Sequence, residues 1–108
     1  MKTKLLKIVV FVPETHSDAV RKAVGNAGAG KIGNYSHCTL SSKGQGRFMP
    51  LSGANPTIGE VGKLEVVDEE RIEFICEENI LKKVVEAIKQ AHPYEEVAYD
   101  VYPLLNSE

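Results

Sequence analysis

The spacing of hydrophobic residues divides the chain into strands and helices. Residues 8–12 are mostly β-branched and are followed by a proline, which predicts a strand that is apolar on both faces. Alternation along the chain predicts two more strands, over residues 35–42 and 71–77. A last strand is predicted over residues 97–101, after a proline that disfavours helical structure at His92.

Apolar residues at helical spacing predict two helices. The first covers residues 15–27, where Thr15 and Asp18 have the form of a capping box and the glycines from Gly28 onward end the helix. The second covers residues 79–91 and has one continuous apolar face. At its end a cationic His92 would be favoured by the helix dipole.

The middle of the chain predicts shorter elements. Turns are predicted at residues 43–46 and at the acidic residues 68–70, short strands at 47–51 and 63–67, and a loop at 52–60. The order of elements indicates an α+β, ferredoxin-like (split βαβ) antiparallel sheet with extra short strands and both helices on one face. We expect residues 1–108 to form a single domain of this kind.

This arrangement leaves the second face of the sheet without helices. Val9, Phe11, Ile75 and Tyr102 would be exposed there, forming more contiguous apolar surface than a monomer usually carries. We therefore expect a homo-oligomer in which neighbouring copies cover this face.

Composition narrows the possible partners and the compartment. The net charge is −2 and no basic block could neutralise a run of phosphates, so no nucleic-acid partner is expected. No segment reaches the roughly 20 apolar residues of a membrane span, and no signal peptide is recognisable. Cys38 and Cys76 form no CxxC pair and are expected to be buried thiols, which favours a cytoplasmic protein.

Two motifs suggest ligand chemistry. Residues 28–33 match GxGxxG, but a phosphate-binding loop follows a strand and begins a helix, whereas here a helix enters and a strand leaves. The histidines offer a second possibility. His37, His92 and Glu95 could hold a divalent metal ion at subunit contacts, and the simpler interpretation is structural hydrogen bonding. Glu95 and Glu96 point to opposite sides of an extended segment, so they make a poor catalytic pair.

Four segments together resemble a known family. They are residues 33–38 (GNYSHC), 53–56 (GANP), 59–65 (GEVGKLE) and 92–104 (HPYEEVAYDVYPL). They are similar to the inserted domain of the YqfO-type, Nif-three-like dinuclear-metal proteins, and the similarity spans nearly the whole chain. In larger members this insert resembles the PII signalling and CutA divalent-cation-tolerance proteins, which are ferredoxin-like trimers. The resemblance therefore implies a PII/CutA-like trimer.

The same resemblance limits the chemistry that can be carried over. Larger members build their two-metal centre on the halves that flank the insert, and the chain is interpreted as the insert alone, so no ligand of that centre is assigned here. What the resemblance implies is that six residues border a shared surface or cleft. These ligand-binding candidates are Tyr35, His37, Glu60, His92, Tyr94 and Glu95.

Together these observations predict a non-catalytic, trimeric PII/CutA-like module that binds a small ligand, a metal ion or a partner protein at its subunit boundaries. Two alternatives stay open. One is a metal-dependent hydrolase-type enzyme that uses His37, His92 and Glu95, for which a divalent metal ion would be the cofactor. The other is a plain protein-interaction subunit.

Overall fold

The computed structural model describes residues 4–106, which form a four-stranded sheet and two helices. Each helix is preceded by one 3-10 turn, at Glu14–His16 and Glu78–Ile80. The main elements are β1 (Leu5–Pro13), α1 (Ser17–Asn26), β2 (Leu40–Phe48), β3 (Glu65–Glu77), α2 (Leu81–Ala91) and β4 (Tyr99–Pro103).

The strands lie in the order β2-β3-β1-β4, and every neighbouring pair is antiparallel. The two central strands, β1 and β3, pair from Leu5 opposite Glu77 to Pro13 opposite Glu69. This is the split βαβ order that the sequence predicts. Within the described residues, no helix is long and apolar enough to cross a membrane.

Both helices pack on the same face of the sheet, as expected. The apolar stripe of α1 contributes Val20 and Val24, and that of α2 contributes Val84 and Ile88, all with no exposed surface. Burying a side chain of this size contributes about 1.5–3 kcal/mol, so this layer supplies much of the stability of the fold. The sheet residues of the same core are Ile8, Val10, Val12, Ile72, Phe74 and Cys76.

The turns predicted at residues 43–46 and 68–70 are wrong. These residues face each other in the ladder between β2 and β3, with Lys43 opposite Glu70 and Gln45 opposite Asp68. The short strands predicted at 47–51 and 63–67 overlap the ends of these two long strands. Glycines and acidic residues favour turns locally, but a continuous ladder of nine residue pairs between the two strands outweighs that preference.

The strand predicted over residues 35–42 begins only at Leu40. His37 has a φ of 60°, a left-handed conformation that a strand does not accommodate. The capping box is also wrong, because the Thr15 hydroxyl is hydrogen-bonded to His16 Nδ1 at 2.8 Å rather than to the helix backbone. Gly28, with a φ of 105°, ends α1 as predicted.

The sheet face opposite the helices is less exposed than predicted. Val9 is fully buried and Phe11 is half-buried, with the Arg71 guanidinium 5.9 Å from the centre of its ring. Tyr102 is the most exposed of the four predicted residues, at 46%.

Beyond Glu69 the β2–β3 hairpin continues without β1 beside it. We call residues 45–68 the hairpin arm. Large apolar side chains of this segment are exposed to solvent, where no helix covers them. They are Met49, Leu51, Val61, Leu64 and Val66.

Candidate functional site

A groove of about 440 Å³ lies between the hairpin arm and the segment that leads from α2 into β4. Two hydrogen bonds hold these walls together. The Asn55 amide donates to Glu95 Oε1 at 2.9 Å, and the Thr57 hydroxyl donates to the Pro93 carbonyl at 2.7 Å. Most of the lining is apolar, and it includes Phe48, Met49, Pro50, Leu51, Pro56, Ile58 and Ala98.

Tyr94 forms the inner part of this groove. Its ring meets the Phe48 ring edge-on, with centroids 5.8 Å apart. Its hydroxyl is buried and has no hydrogen-bond partner among the described residues, although the Glu69 carboxylate is close by. Burial, and then the negative charge of Glu69, raise the pKa of Tyr94 to about 12.

Glu69 supplies the carboxylate at the inner end of the groove. A Cβ at Gly46 would overlap that carboxylate, so the glycine leaves the space in which the Glu69 side chain lies across β2. Burial raises the pKa of Glu69, because a half-buried carboxylate loses part of its hydration. Tyr94 has a smaller, opposite effect on it.

His92 links the segment that carries Tyr94 to β1. Its side chain is buried, with Nε2 2.7 Å from the Phe11 carbonyl and Nδ1 3.2 Å from the Tyr94 amide nitrogen. A carbonyl only accepts and an amide N–H donates, so Nε2 carries the proton and the ring is neutral. Burial lowers the pKa of His92, and His16 adds to this, although the bond to Phe11 opposes it. The cationic helix-end role predicted for His92 is therefore wrong.

His37 belongs to a different cluster, on the loop that precedes β2. Its Nε2 lies 3.0 Å from Asn26 Oδ1, and its Nδ1 lies 2.9 Å from the Ser36 hydroxyl. The imidazole packs on α1 at Gly25, where a Cβ would overlap the ring. A glycine inside a helix costs about 1 kcal/mol relative to alanine, and contact with His37 is the reason for it here.

The structure places the predicted site residues in three locations. Tyr94 and Glu95 line the groove, and His92 lies behind them. Tyr35 and His37 are exposed on the loop before β2, and Glu60 forms an exposed ion pair with Lys63 at 3.4 Å.

The proposed metal ligands do not meet within one chain. Among residues 4–106, no three His, Cys, Asp or Glu side chains are grouped so that they could hold a metal ion. His37, His92 and Glu95 are thus not assembled by a single copy. Both ring nitrogens of His92 are also engaged within the chain.

Most residues of the groove are not predicted from the sequence as site residues, among them Phe48 and Glu69. The sequence predicts Glu69 in a turn and Phe48 in a short edge strand. Extending the alternation of residues 71–77 backwards would have found the signal. It places Glu69 on the same face as Arg71, opposite Gly44 in β2.

Replacing Gly25 with alanine tests the packing of His37. In the native chain we expect Gly25→Ala to destabilise the protein, because the new methyl displaces the imidazole from α1 and breaks its bond to Asn26. In a His37→Ala background the same change should stabilise it by about 1 kcal/mol through helix propensity. Chemical denaturation of the four proteins of this cycle measures both values. The same sign in both backgrounds would contradict the contact.

Comparisons with known proteins show which proteins the chain resembles. No protein-family model matches it. It is 60% identical over 102 residues to the GTP cyclohydrolase 1 type 2 homolog of Halalkalibacterium halodurans, and 55% identical over 100 residues to the protein of that name from Bacillus subtilis. These matches cover 94% and 93% of the chain and 27% of each relative. The chain therefore spans about a quarter of the length of the curated relatives it matches.

Solved structures show the same resemblance. A Bacillus cereus protein related to NIF3 superimposes with a TM-score of 0.85 and 56% identity, covering 98% of this chain and 27% of that one. Two more distant structures share the fold alone. CutA from Archaeoglobus fulgidus gives a TM-score of 0.69 at 14% identity, over 96% of this chain and 87% of that one. GlnK from B. subtilis gives a TM-score of 0.64 at 13% identity, over 96% of this chain and 84% of that one. The chain is accordingly similar to one segment of the proteins named GTP cyclohydrolase 1 type 2 homolog and of a protein related to NIF3, and it has the ferredoxin-like fold of CutA and PII-like proteins.

Proposed function

We propose that the chain is a non-catalytic, self-associating PII/CutA-like module, assembled as a trimer, that binds a small ligand, a metal ion or a partner at boundaries between its copies. The observation that carries this proposal is the exposed apolar surface of the hairpin arm. The arm continues past the end of β1, and its large apolar side chains have no covering layer among residues 4–106. A second copy of the same arm and sheet is the simplest cover for such a surface.

The position of the groove supports a link between assembly and binding. One wall of the groove is formed by the hairpin arm, including Phe48, Met49 and Leu51. Leu51 and Met49 are also among the exposed apolar residues of the arm. Contacts between copies would therefore alter the same wall that a ligand meets.

The curated relatives are named GTP cyclohydrolase 1 type 2 homolog, and this chain matches about 27% of the length of each. We do not extend a cyclohydrolase activity to this segment. A metal site built from His37, His92 and Glu95 would need side chains from more than one copy, because they do not cluster within one chain.

Introducing a charged residue on the hairpin arm tests self-association. We expect the native protein to have a mass of about three times the 11.8 kDa monomer by light scattering at micromolar concentration. Leu51→Arg and Leu64→Arg each place a charge on the arm. Each should weaken association by at least about thirtyfold, as the loss of a central interface contact typically does.

Leu105→Arg is the matched control, since Leu105 is fully exposed but follows β4 and lies outside the arm. This variant should keep the mass of the native protein. A monomeric native protein, or equal dissociation by the control and the arm variants, would overturn the proposal.

A further inference from the structure

We propose that the groove binds a small organic cation, a molecule with a flat apolar body and one ammonium-type group. This deepens the proposed function and rests on it, because it names the class of ligand that the module would take. The groove has about 440 Å³ of space, within the usual range for small-molecule sites, roughly 300–1,000 Å³. Its lining of aromatic, proline and aliphatic side chains suits an apolar body.

The charges at the groove determine the sign of the ligand. Three carboxylates, those of Glu69, Glu95 and Glu96, line it against one guanidinium, that of Arg47. Arg47 is also engaged in part, with its Nη2 3.4 Å from Gln45 Oε1. A phosphate or carboxylate ligand would meet net repulsion, and a cation would meet net attraction.

Two neighbouring polar groups at the inner end of the groove have no cationic partner. The buried Tyr94 hydroxyl lies near the Glu69 carboxylate without a hydrogen bond of good geometry, and Glu69 makes no ion pair within residues 4–106. A buried polar group without a well-placed partner is unfavourable. An ammonium group placed beside both would donate to the carboxylate and to the hydroxyl oxygen.

A small ligand fits this groove better than a segment of a second copy. The Asn55–Glu95 and Thr57–Pro93 hydrogen bonds join the two walls within one chain, so the groove is formed without a neighbour. Gly46 leaves the space that the Glu69 carboxylate occupies, so the carboxylate also has its place within one chain. These features describe a preformed small-molecule site.

A pair of probes with the same body and opposite charge tests the inference. Naphthalen-1-ylmethylammonium and naphthalene-1-carboxylate are each titrated into the full chain, and binding is followed by NMR chemical shifts. We expect the ammonium to bind with a Kd at least tenfold lower than the carboxylate. Its largest shifts should be at Phe48, Tyr94 and Ala98.

Variants then test which carboxylates cause the preference for the ammonium probe. Glu69→Gln should raise the Kd of the ammonium about tenfold, the value of one charge-assisted hydrogen bond. Exposed Glu96→Gln, which keeps the buried residues unchanged, should raise it about threefold. Glu73→Gln is the control, because Glu73 pairs with Arg71 at 3.4 Å and does not line the groove. It should leave the Kd unchanged.

Equal binding of the two probes, shifts centred outside the groove, or no response to both Glu69→Gln and Glu96→Gln would overturn the inference. Light scattering on the same samples separates this result from the proposed function. A trimer that does not bind the ammonium refutes only the ligand class. A monomer that binds it refutes only the role of subunit boundaries.

Discussion

Replacing Gly30 with alanine is expected to lower the free energy of unfolding by about 3 kcal/mol, because the change combines an unfavourable backbone conformation with a backbone clash. Gly30 has a φ of 75°, and a Cβ there would lie 2.6 Å from the Cys38 carbonyl oxygen and 2.8 Å from the Cys38 amide nitrogen. Backbone atoms cannot rotate away as a side chain does. The clash would also break the hydrogen bond from the Cys38 amide to the Gly30 carbonyl, 2.9 Å, which holds the loop bearing His37.

Gly33→Ala is the matched control for this loss. Gly33 also has a positive φ, 56°, but apart from its two chain neighbours no residue of 4–106 has an atom within 4 Å of the position that a methyl group would take there. Gly33→Ala should lower the free energy of unfolding by about 1 kcal/mol, the cost of the backbone strain alone. Urea denaturation of both variants measures the difference, and equal losses would show that the close approach of Gly30 and Cys38 is absent in solution.

Replacing His92 with alanine is expected to lower the free energy of unfolding at pH 7.5 by about 3 kcal/mol, since the Phe11 carbonyl and the Tyr94 amide both lose their partner. The native protein should in addition lose stability between pH 7.5 and 5.5. The folded state disfavours the charged imidazole because of burial, so the pKa of His92 is lower in the folded chain than in the unfolded one. Its contribution is complete above the unfolded value of about 6.5 and is lost as the pH falls below it.

Unfolding midpoints measured across this pH range test the sign. His92→Ala should flatten the dependence, and His37→Ala, which changes an exposed histidine, should retain it. Glu69 has the opposite effect on stability at more acidic pH. The pKa of its carboxyl is raised in the folded chain, so its contribution to stability increases as the pH falls. A stability that rises from pH 7.5 to 5.5 in the native protein would contradict a neutral, buried His92.

The groove shows where prediction from the sequence reached its limit. Tyr94 and Glu95 were predicted to border a cleft, and both line the groove. Glu69 and Phe48 were missed because their placement depends on the pairing of β2 with β3, which passes the end of β1. His92 was predicted as a cation at a helix end, whereas its environment makes it a neutral hydrogen-bonding residue.

The sequence by itself determined the strands and helices of the core, because periods of 2 and 3.6 in apolar residues follow directly from the geometry of those elements. β1, α1, α2 and their order were predicted in this way. Only the tertiary structure decided the length of the hairpin arm, the burial of Val9 and the tautomer of His92. Each of these depends on a partner far away in the sequence, and local patterns do not specify which distant group will supply a hydrogen bond or cover a side chain.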